Sequence, residues 1–193
     1  MRLAIVDLGC GNIGSIGIAF RRFGVDPEVT SQPGAILSAD KVILPGVGAS
    51  GFAMAQIDRL GLREPLRKLA QPVLGICLGM QILFDHSDED DVACLGLIGG
   101  KVRALHPAPG LPVPHMGWSR LDVADDSLGV NQGDYVYFAH SFACDEGPET
   151  VATVTHGRRI PAVVRRANFL GAQFHPERSS DAGARFLENW LGS

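Results

Sequence analysis

Leu3-Ala4-Ile5-Val6, Lys41-Val42-Ile43-Leu44 and Pro72-Val73-Leu74-Gly75-Ile76 are short runs, apolar almost throughout, each set off from its neighbours by turn residues. A strand with one wet face alternates apolar and polar residues. A run without a polar face belongs to a strand covered on both sides, the condition of a parallel sheet between two layers of helices. The intervening segments fit that layering. A Gly-rich turn after Asp7 leads into Ile13, Ile16, Gly17, Ala19, Phe20 and Phe23 at helical spacing, closed by Gly24. Residues 25–30 supply another strand, and helical stretches in 53–70 separate the last two apolar runs. The expected fold is α/β: an open, mostly parallel sheet with helices on both faces.

From Val102 onward the pattern changes. Segments 135–138, 150–155, 162–164 and 169–174 are strand-like and separated by short Gly/Pro/Asp turns, which predicts antiparallel strands along an edge of the sheet. A helix over 181–191 closes the chain, with Ala184, Phe186, Leu187, Trp190 and Leu191 on its apolar face, and the acid run 88–91 reads as a solvated loop. No repeat, low-complexity tract or linker divides the chain, so residues 1–193 are expected to form one domain. The formal charge of -4, with no Lys/Arg run, argues against a nucleic-acid or anionic-membrane surface. The N-terminus lacks the apolar region and cleavage site of an export signal, and the uncharged stretches 42–57 and 69–84 fall short of the roughly 18 residues a membrane span needs. A soluble, cytoplasmic chain is expected. Cys10, Cys77, Cys94 and Cys144 form no C-x-x-C pair and the histidines no H-E-x-x-H or H-x-H pair, so neither disulfides nor a metal site is expected.

Gly9-Cys10-Gly11-Asn12-Ile13-Gly14 satisfies G-x-G-x-x-G between a strand and a helix, with Glu28 at about the distance of a ribose-binding acid. Such glycines let backbone N–H groups approach a pyrophosphate at the positive end of a helix. Glu28, however, falls inside the second strand, whereas a ribose acid sits at that strand's carboxyl end, nearer Ser31 and Gln32. The segment is therefore read as a tight strand-to-helix turn.

Gly75-Ile76-Cys77-Leu78-Gly79 has the form G-x-S-x-G with Cys for Ser, after a strand and before the helical run 80–84. In such an elbow the nucleophile occupies a strained turn, and the flanking glycines remove side chains that would clash as the backbone folds back. The turn presents the sulfur at the carboxyl edge of the sheet, where a helix N-terminus favours the thiolate. Cys77 taken alone could equally be a small buried residue. Phe174-His175-Pro176-Glu177 follows another strand, and Glu177 can fix the imidazole and stabilise its protonated form. Two groups that can meet at one sheet edge make a Cys77-His175-Glu177 triad. Leu44-Pro45-Gly46-Val47-Gly48 ends the strand preceding the elbow strand. Acyl transfer needs two N–H donors for the oxyanion, which Leu78 and Val47 can supply; a simple turn after Pro45 is the alternative.

Gly75-Ile76-Cys77-Leu78-Gly79-Met80-Gln81 and Phe174-His175-Pro176-Glu177 together resemble the two signatures of class I (triad) glutamine amidotransferases, in the right order over essentially the whole chain. The resemblance implies a flavodoxin-like fold, no cofactor and glutaminase chemistry. Cys77 would attack the glutamine side-chain amide, His175 transfer protons and Glu177 orient the imidazole; ammonia leaves from a glutamyl thioester, and water releases glutamate.

Three further segments resemble one branch of that family, the glutaminase subunits of imidazole glycerol phosphate synthases in histidine biosynthesis. They are Asp7-x-Gly9-x-Gly11-Asn12, Pro114-His115-Met116-Gly117-Trp118 and Tyr137-Phe138-Ala139-His140-Ser141-Phe142. By this resemblance Gly46, Gly48, Gln81, His140, Ser141 and Phe142 hold L-glutamine. Asn12, Met116, Trp118, Tyr137 and Arg178 face a separate (β/α)-barrel cyclase/synthase subunit in a heterodimer. That partner would bind the nucleotide substrate and activate the glutaminase, whose 45–48 strand turns an N–H the wrong way at rest. Leu8, Gly14, Ser119 and Arg178 depart from the usual Tyr, larger basic residue, Asn and Lys of the branch. Arg178 keeps the charge with a different fork geometry, and Gly14 removes a side-chain contact.

Overall fold

The computed structural model describes residues 1–125 and 128–193. Its main sheet has eight strands in the order β2-β1-β3-β4-β14-β13-β12-β9. Strands β1 (Leu3–Val6), β2 (Glu28–Thr30), β3 (Lys41–Leu44), β4 (Val73–Ile76) and β14 (Phe169–Ala172) run parallel. Strands β13 (Arg158–Arg166), β12 (Thr150–His156) and β9 (Asp122–Val123) continue it antiparallel to one edge.

The register explains why the central strands carry no polar face. Ile5, Ile43, Leu74 and Leu170 are cross-strand partners in one row, and Ala4, Val42, Val73 and Phe169 form the next. The first row faces one core with Phe20 of α1 (Ile13–Arg21) and Phe186 and Trp190 of α6 (Ser180–Gly192). The second row faces another core, with Ile36 of α2 (Pro33–Ser38), Met54 and Ile57 of α3 (Ser50–Arg59), Leu66 of α4 (Arg63–Arg67) and Met80 of α5 (Leu78–Gln81). Each such large side chain removed from water contributes about 1.5–3 kcal/mol, so both layers are needed to hold the sheet.

Several elements differ from expectation. Strand β2 occupies only the last part of 25–30, because Pro27 has no N–H for a ladder. The helical stretch 53–70 is two helices, broken at Gly61, whose φ of 65° no helix accommodates. Phe84 ends no helix but opens β5 (Phe84–Ser87), and in α6 Ala182 rather than Ala184 faces the core. Residues 169–174 lie inside the sheet, parallel to β4, instead of on an antiparallel edge. Segment 135–138 belongs to β10 (Tyr135–His140), which leaves the main sheet and pairs with β8 (His115–Arg120) in a ribbon of its own. A third sheet joins β11 (Phe142–Cys144), β7 (Ile98–Ala104), β5 and β6 (Val92–Ala93). Among the described residues no helix is long and apolar enough to cross a membrane.

Candidate active site

The carboxyl ends of β3, β4 and β14 are neighbours, so the loops that follow them meet at one edge, where open α/β sheets bind ligands. After β4 the backbone turns at Cys77, with φ 54° and ψ -109°, a left-handed φ that costs a non-glycine residue about 1–3 kcal/mol. The Cys77 N–H donates to the Ala172 carbonyl at 2.7 Å, tying the turn to β14. Glycine is obligatory beside it, since a Cβ on Gly79 would overlap the Leu44 carbonyl oxygen. The loop after β3 lies against the same turn: a Cβ on Gly46 would stand 2.7 Å from the Leu78 Cβ. The first turn of α5 leaves the N–H groups of Leu78 and Gly79 without intrahelical partners, beside a buried sulfur.

His175 is held by segments far away in the chain. Its N–H donates to the Tyr137 carbonyl at 2.9 Å. The Ser179 hydroxyl donates to the His175 carbonyl at 2.7 Å and accepts from the Tyr137 N–H at 3.0 Å. The turn Pro176–Arg178 then brings Glu177 Oε1 within 2.9 Å of His175 Nδ1. The Glu177 side chain is wholly buried, and Oε1 also accepts from Asn12 Nδ2 at 3.4 Å. Burial by itself pushes the imidazolium toward neutrality, but hydrogen bonds to Cys77 and Glu177 outweigh it and raise the His175 pKa to about 10. With Nδ1 engaged by Glu177, Nε2 is the nitrogen left to meet the sulfur.

Two clefts flank this group. The first, of about 270 Å³, brings Cys77, Val47, Gly48, Leu78, Gln81, His140, Ser141 and Phe142 onto one wall system, with Met116 on its rim. Gly46 is not part of that wall; it sits behind, packed on Leu78. The His140 ring turns inward, its Nδ1 2.8 Å from the Phe142 carbonyl. The second cleft, of about 370 Å³, is lined by Asn12, Val47, Tyr137, Ala139, His175 and Arg178. Val47 and Ala139 border both clefts. Arg178 lies 5.9 Å over the Tyr137 ring, and Trp118 meets Tyr137 edge to face at 6.2 Å. Met116, Trp118 and Tyr135, on the β8–β10 ribbon that also carries Tyr137, expose half or more of their surface, apolar exposure of the kind that marks docking sites.

Sequence reading missed Glu89, Gln173 and Ser179. The acid run 88–91 is not uniformly solvated. Glu89 turns into the first cleft, where Oε2 accepts from the Ser50 N–H and hydroxyl at 2.8 and 3.0 Å and so caps α3. Nothing in an acid run distinguishes the one member that faces inward. Gln173 is fully buried and donates toward Cys77 Sγ at 3.7 Å; its position directly before Phe174-His175 was the available signal. The glycine turn packs Gly11 on Pro45, and Glu28 opens β2 opposite Ala4, at the wrong end of the strand for a ribose contact. Cys94 and Cys144 are buried, which pushes the Cys94 thiol up to about 11 and that of Cys144 well above its usual range. Among the described residues no group of three His, Cys, Asp or Glu side chains could hold a metal ion.

The model of the family glutamine amidotransferase class-I matches residues 4–192. Two relatives called imidazole glycerol phosphate synthase subunit HisH, from Xylella fastidiosa and Xanthomonas campestris, are 47% and 48% identical, each covering 98% of this chain and 96% of the relative. A crystal structure of a glutamine amidotransferase superposes with TM-score 0.78 at 19% identity, over 99% of this chain and all of the other. The structure of PurLQS from Thermotoga maritima does so with TM-score 0.72 at 20% identity, over 99% and 97%. At those identities the superpositions speak for the fold alone. The family match and the full-length relatives go further: this chain belongs to the class I glutamine amidotransferases.

Proposed function

We propose that residues 1–193 act as one glutaminase domain, the subunit of a cytoplasmic imidazole glycerol phosphate synthase that hydrolyses L-glutamine and passes ammonia to a cyclase/synthase subunit. The observation that carries this reading is the meeting of Cys77, His175 and Glu177 at the ends of two adjacent strands, with Cys77 opening on a cleft that Glu89 also lines. Glutamine enters with its carboxamide at Cys77. Glu89 is the carboxylate on the cleft wall suited to the α-ammonium, while Gln81 and the backbone of Gly48, Ser141 and Phe142 surround the remainder.

The Cys77 thiolate attacks the carboxamide carbon, and the N–H groups of Leu78 and Val47 take the charge that develops on oxygen. Protonated His175 gives its proton to the departing nitrogen, so ammonia leaves and a γ-glutamyl thioester remains. Neutral His175 then takes a proton from water, whose oxygen attacks the thioester; glutamate departs and the sulfur is restored. Glu177 keeps Nδ1 occupied throughout. Ammonia released beside His175 lies between the two clefts, and the second opens among Asn12, Tyr137 and Arg178, the residues read as facing the partner.

Glutamate release by the chain alone, with the cyclase/synthase subunit, and with that subunit plus its nucleotide ligand tests the reading. Strong release only in the assembled, ligand-bound complex is expected. No glutamate under any of the three conditions would overturn it.

A further inference from the structure

From the wall of the glutamine cleft, where Gln81, His140 and Phe142 stand, a set of buried polar groups runs back on either side to Ser119 and to Gln173, which do not line the cleft. Ser119 Oγ lies 2.9 Å from His115 Nε2, and His115 Nδ1 lies 3.0 Å from His140 Nε2. His140 Nδ1 lies 2.8 Å from the Phe142 carbonyl, which also accepts from Gln81 Nε2 at 2.8 Å. Gln81 Nε2 donates a second time to Gln173 Oε1 at 2.9 Å, and Gln173 Nε2 points at Cys77 Sγ, 3.7 Å away. His115, His140, Gln81 and Gln173 are all buried.

Donor and acceptor roles along this line are forced. A carbonyl oxygen only accepts, so His140 carries its proton on Nδ1, and its bare Nε2 must accept from His115 Nδ1–H. The bare Nε2 of His115 then accepts the Ser119 hydroxyl. Both rings are neutral: burial, helped by His156, drives His115 down to about 4, and burial, helped by His115, His156 and His175 against the hydrogen bond to Phe142, drives His140 down to about 3. On the other side, the two hydrogens of Gln81 Nε2 go to Phe142 and Gln173. That leaves the Gln173 amide one orientation, with its oxygen toward Gln81 and its N–H toward sulfur. A reversed amide would set a carbonyl oxygen against the thiolate, and a buried polar group facing its like is costly.

Resting on the glutaminase reading, we propose that Gln173 steadies the Cys77 thiolate through its amide N–H, and that Gln81 and the His115–His140 pair are positioning residues that fix that amide through the Phe142 carbonyl. Ser119, on the inner face of the strand whose outer face exposes Met116 and Trp118, satisfies the bare Nε2 of His115 with its hydroxyl.

The experiment uses the complex with the cyclase/synthase subunit. It measures kcat and KM for glutamate release, the rate of Cys77 alkylation by iodoacetamide and the thermal midpoint, for the native chain, Gln173→Leu, His140→Leu and His140→Asn. Gln173→Leu is expected to lower kcat at least about tenfold and to slow alkylation, with KM within about twofold because Gln173 does not line the cleft. His140→Leu should lower kcat by about tenfold, and His140→Asn, whose side-chain N–H can serve the Phe142 carbonyl, should restore it to within about threefold. Unchanged kcat and alkylation in Gln173→Leu would overturn the proposal. So would losses that follow the thermal midpoint alone, with normal alkylation of folded protein. An inactive native complex would overturn the glutaminase reading and this inference together.

Discussion

The turns that end β4 and β14 stand side by side, with Ile76 paired to Ala172, yet they are held in place in opposite ways. The Cys77 turn is a local construction. Its geometry follows from an unusual φ, from glycines at 75 and 79 and from the first turn of α5, with the Ala172 and Leu44 carbonyls of the two adjoining strands closing on it. The His175 turn is assembled from afar: Tyr137 and Ser179 hold its backbone, and Asn12, 165 positions from Glu177, touches the carboxylate that orients the ring. A strained turn clamped between adjoining strands of the sheet places a nucleophile rigidly. A base hung on distant hydrogen bonds can respond to whatever moves those distant segments, and two of them carry residues on the second cleft.

Substitutions can break or sharpen this contrast. The largest effect belongs to the local side: Cys77→Ala should lower glutamine-dependent turnover by about 10⁴-fold or more while leaving the fold intact, because only the sulfur is lost. Glutamate release and the thermal midpoint check both halves of that statement. Glu177→Gln, on the long-range side, should cost about 10²–10⁴-fold in kcat by removing the charge that orients and supports the imidazolium.

It should also change the pH dependence of stability. His175 has a folded pKa raised from 6.5 to about 10, so its stabilising contribution is fully present below about pH 6.5 and is lost as the pH rises through about 10. Denaturation of the native chain and of Glu177→Gln should therefore differ most at the acid end of that window and converge above it. Convergence in the opposite direction would show that Glu177 does not support the charge.

Gly79→Ala tests whether the elbow is as local as it looks. The added methyl meets the Leu44 carbonyl, and about 3 kcal/mol of stability should be lost, measured by denaturant unfolding. Glu89→Gln is the mildest of the set. An amide oxygen can still accept from Ser50, so α3 stays capped, while the charge opposite the substrate ammonium disappears. KM for glutamine should rise about tenfold with kcat little changed. A fall in kcat and in the thermal midpoint alongside the rise in KM would point to the cap rather than the charge.

Legibility in the sequence followed the same division. The central strands were readable because a doubly covered strand has no choice but to be apolar, and the elbow because its glycines and cysteine are adjacent in the chain. Strand β10 was not placed correctly: Tyr135–His140 reads as any antiparallel strand, and no residue within it says that its partner is β8 instead of the sheet edge. Glu89 was lost among exposed neighbours for a related reason, since the burial of one carboxylate is decided by α3, which lies across from it. The helix break at Gly61 and the late start of β2 after Pro27 were visible as residues but not as boundaries.

The sequence by itself determined the layered α/β plan, the turn that exposes Cys77 and the pairing of a nucleophile with a His-x-Glu segment, because each follows from side-chain periodicity or from sterics between near neighbours. The tertiary structure alone decided that His175 stands against Glu177 with a raised pKa, that Glu89 faces the cleft, and that His140 and Gln81 both donate to the Phe142 carbonyl while Gln81 also holds the Gln173 amide that points at the sulfur. The physical reason is that hydrogen-bond direction and charge stabilisation depend on which groups burial brings together. Residues such as Ser119 and Cys77 become neighbours in that sense only after the strands between them have paired.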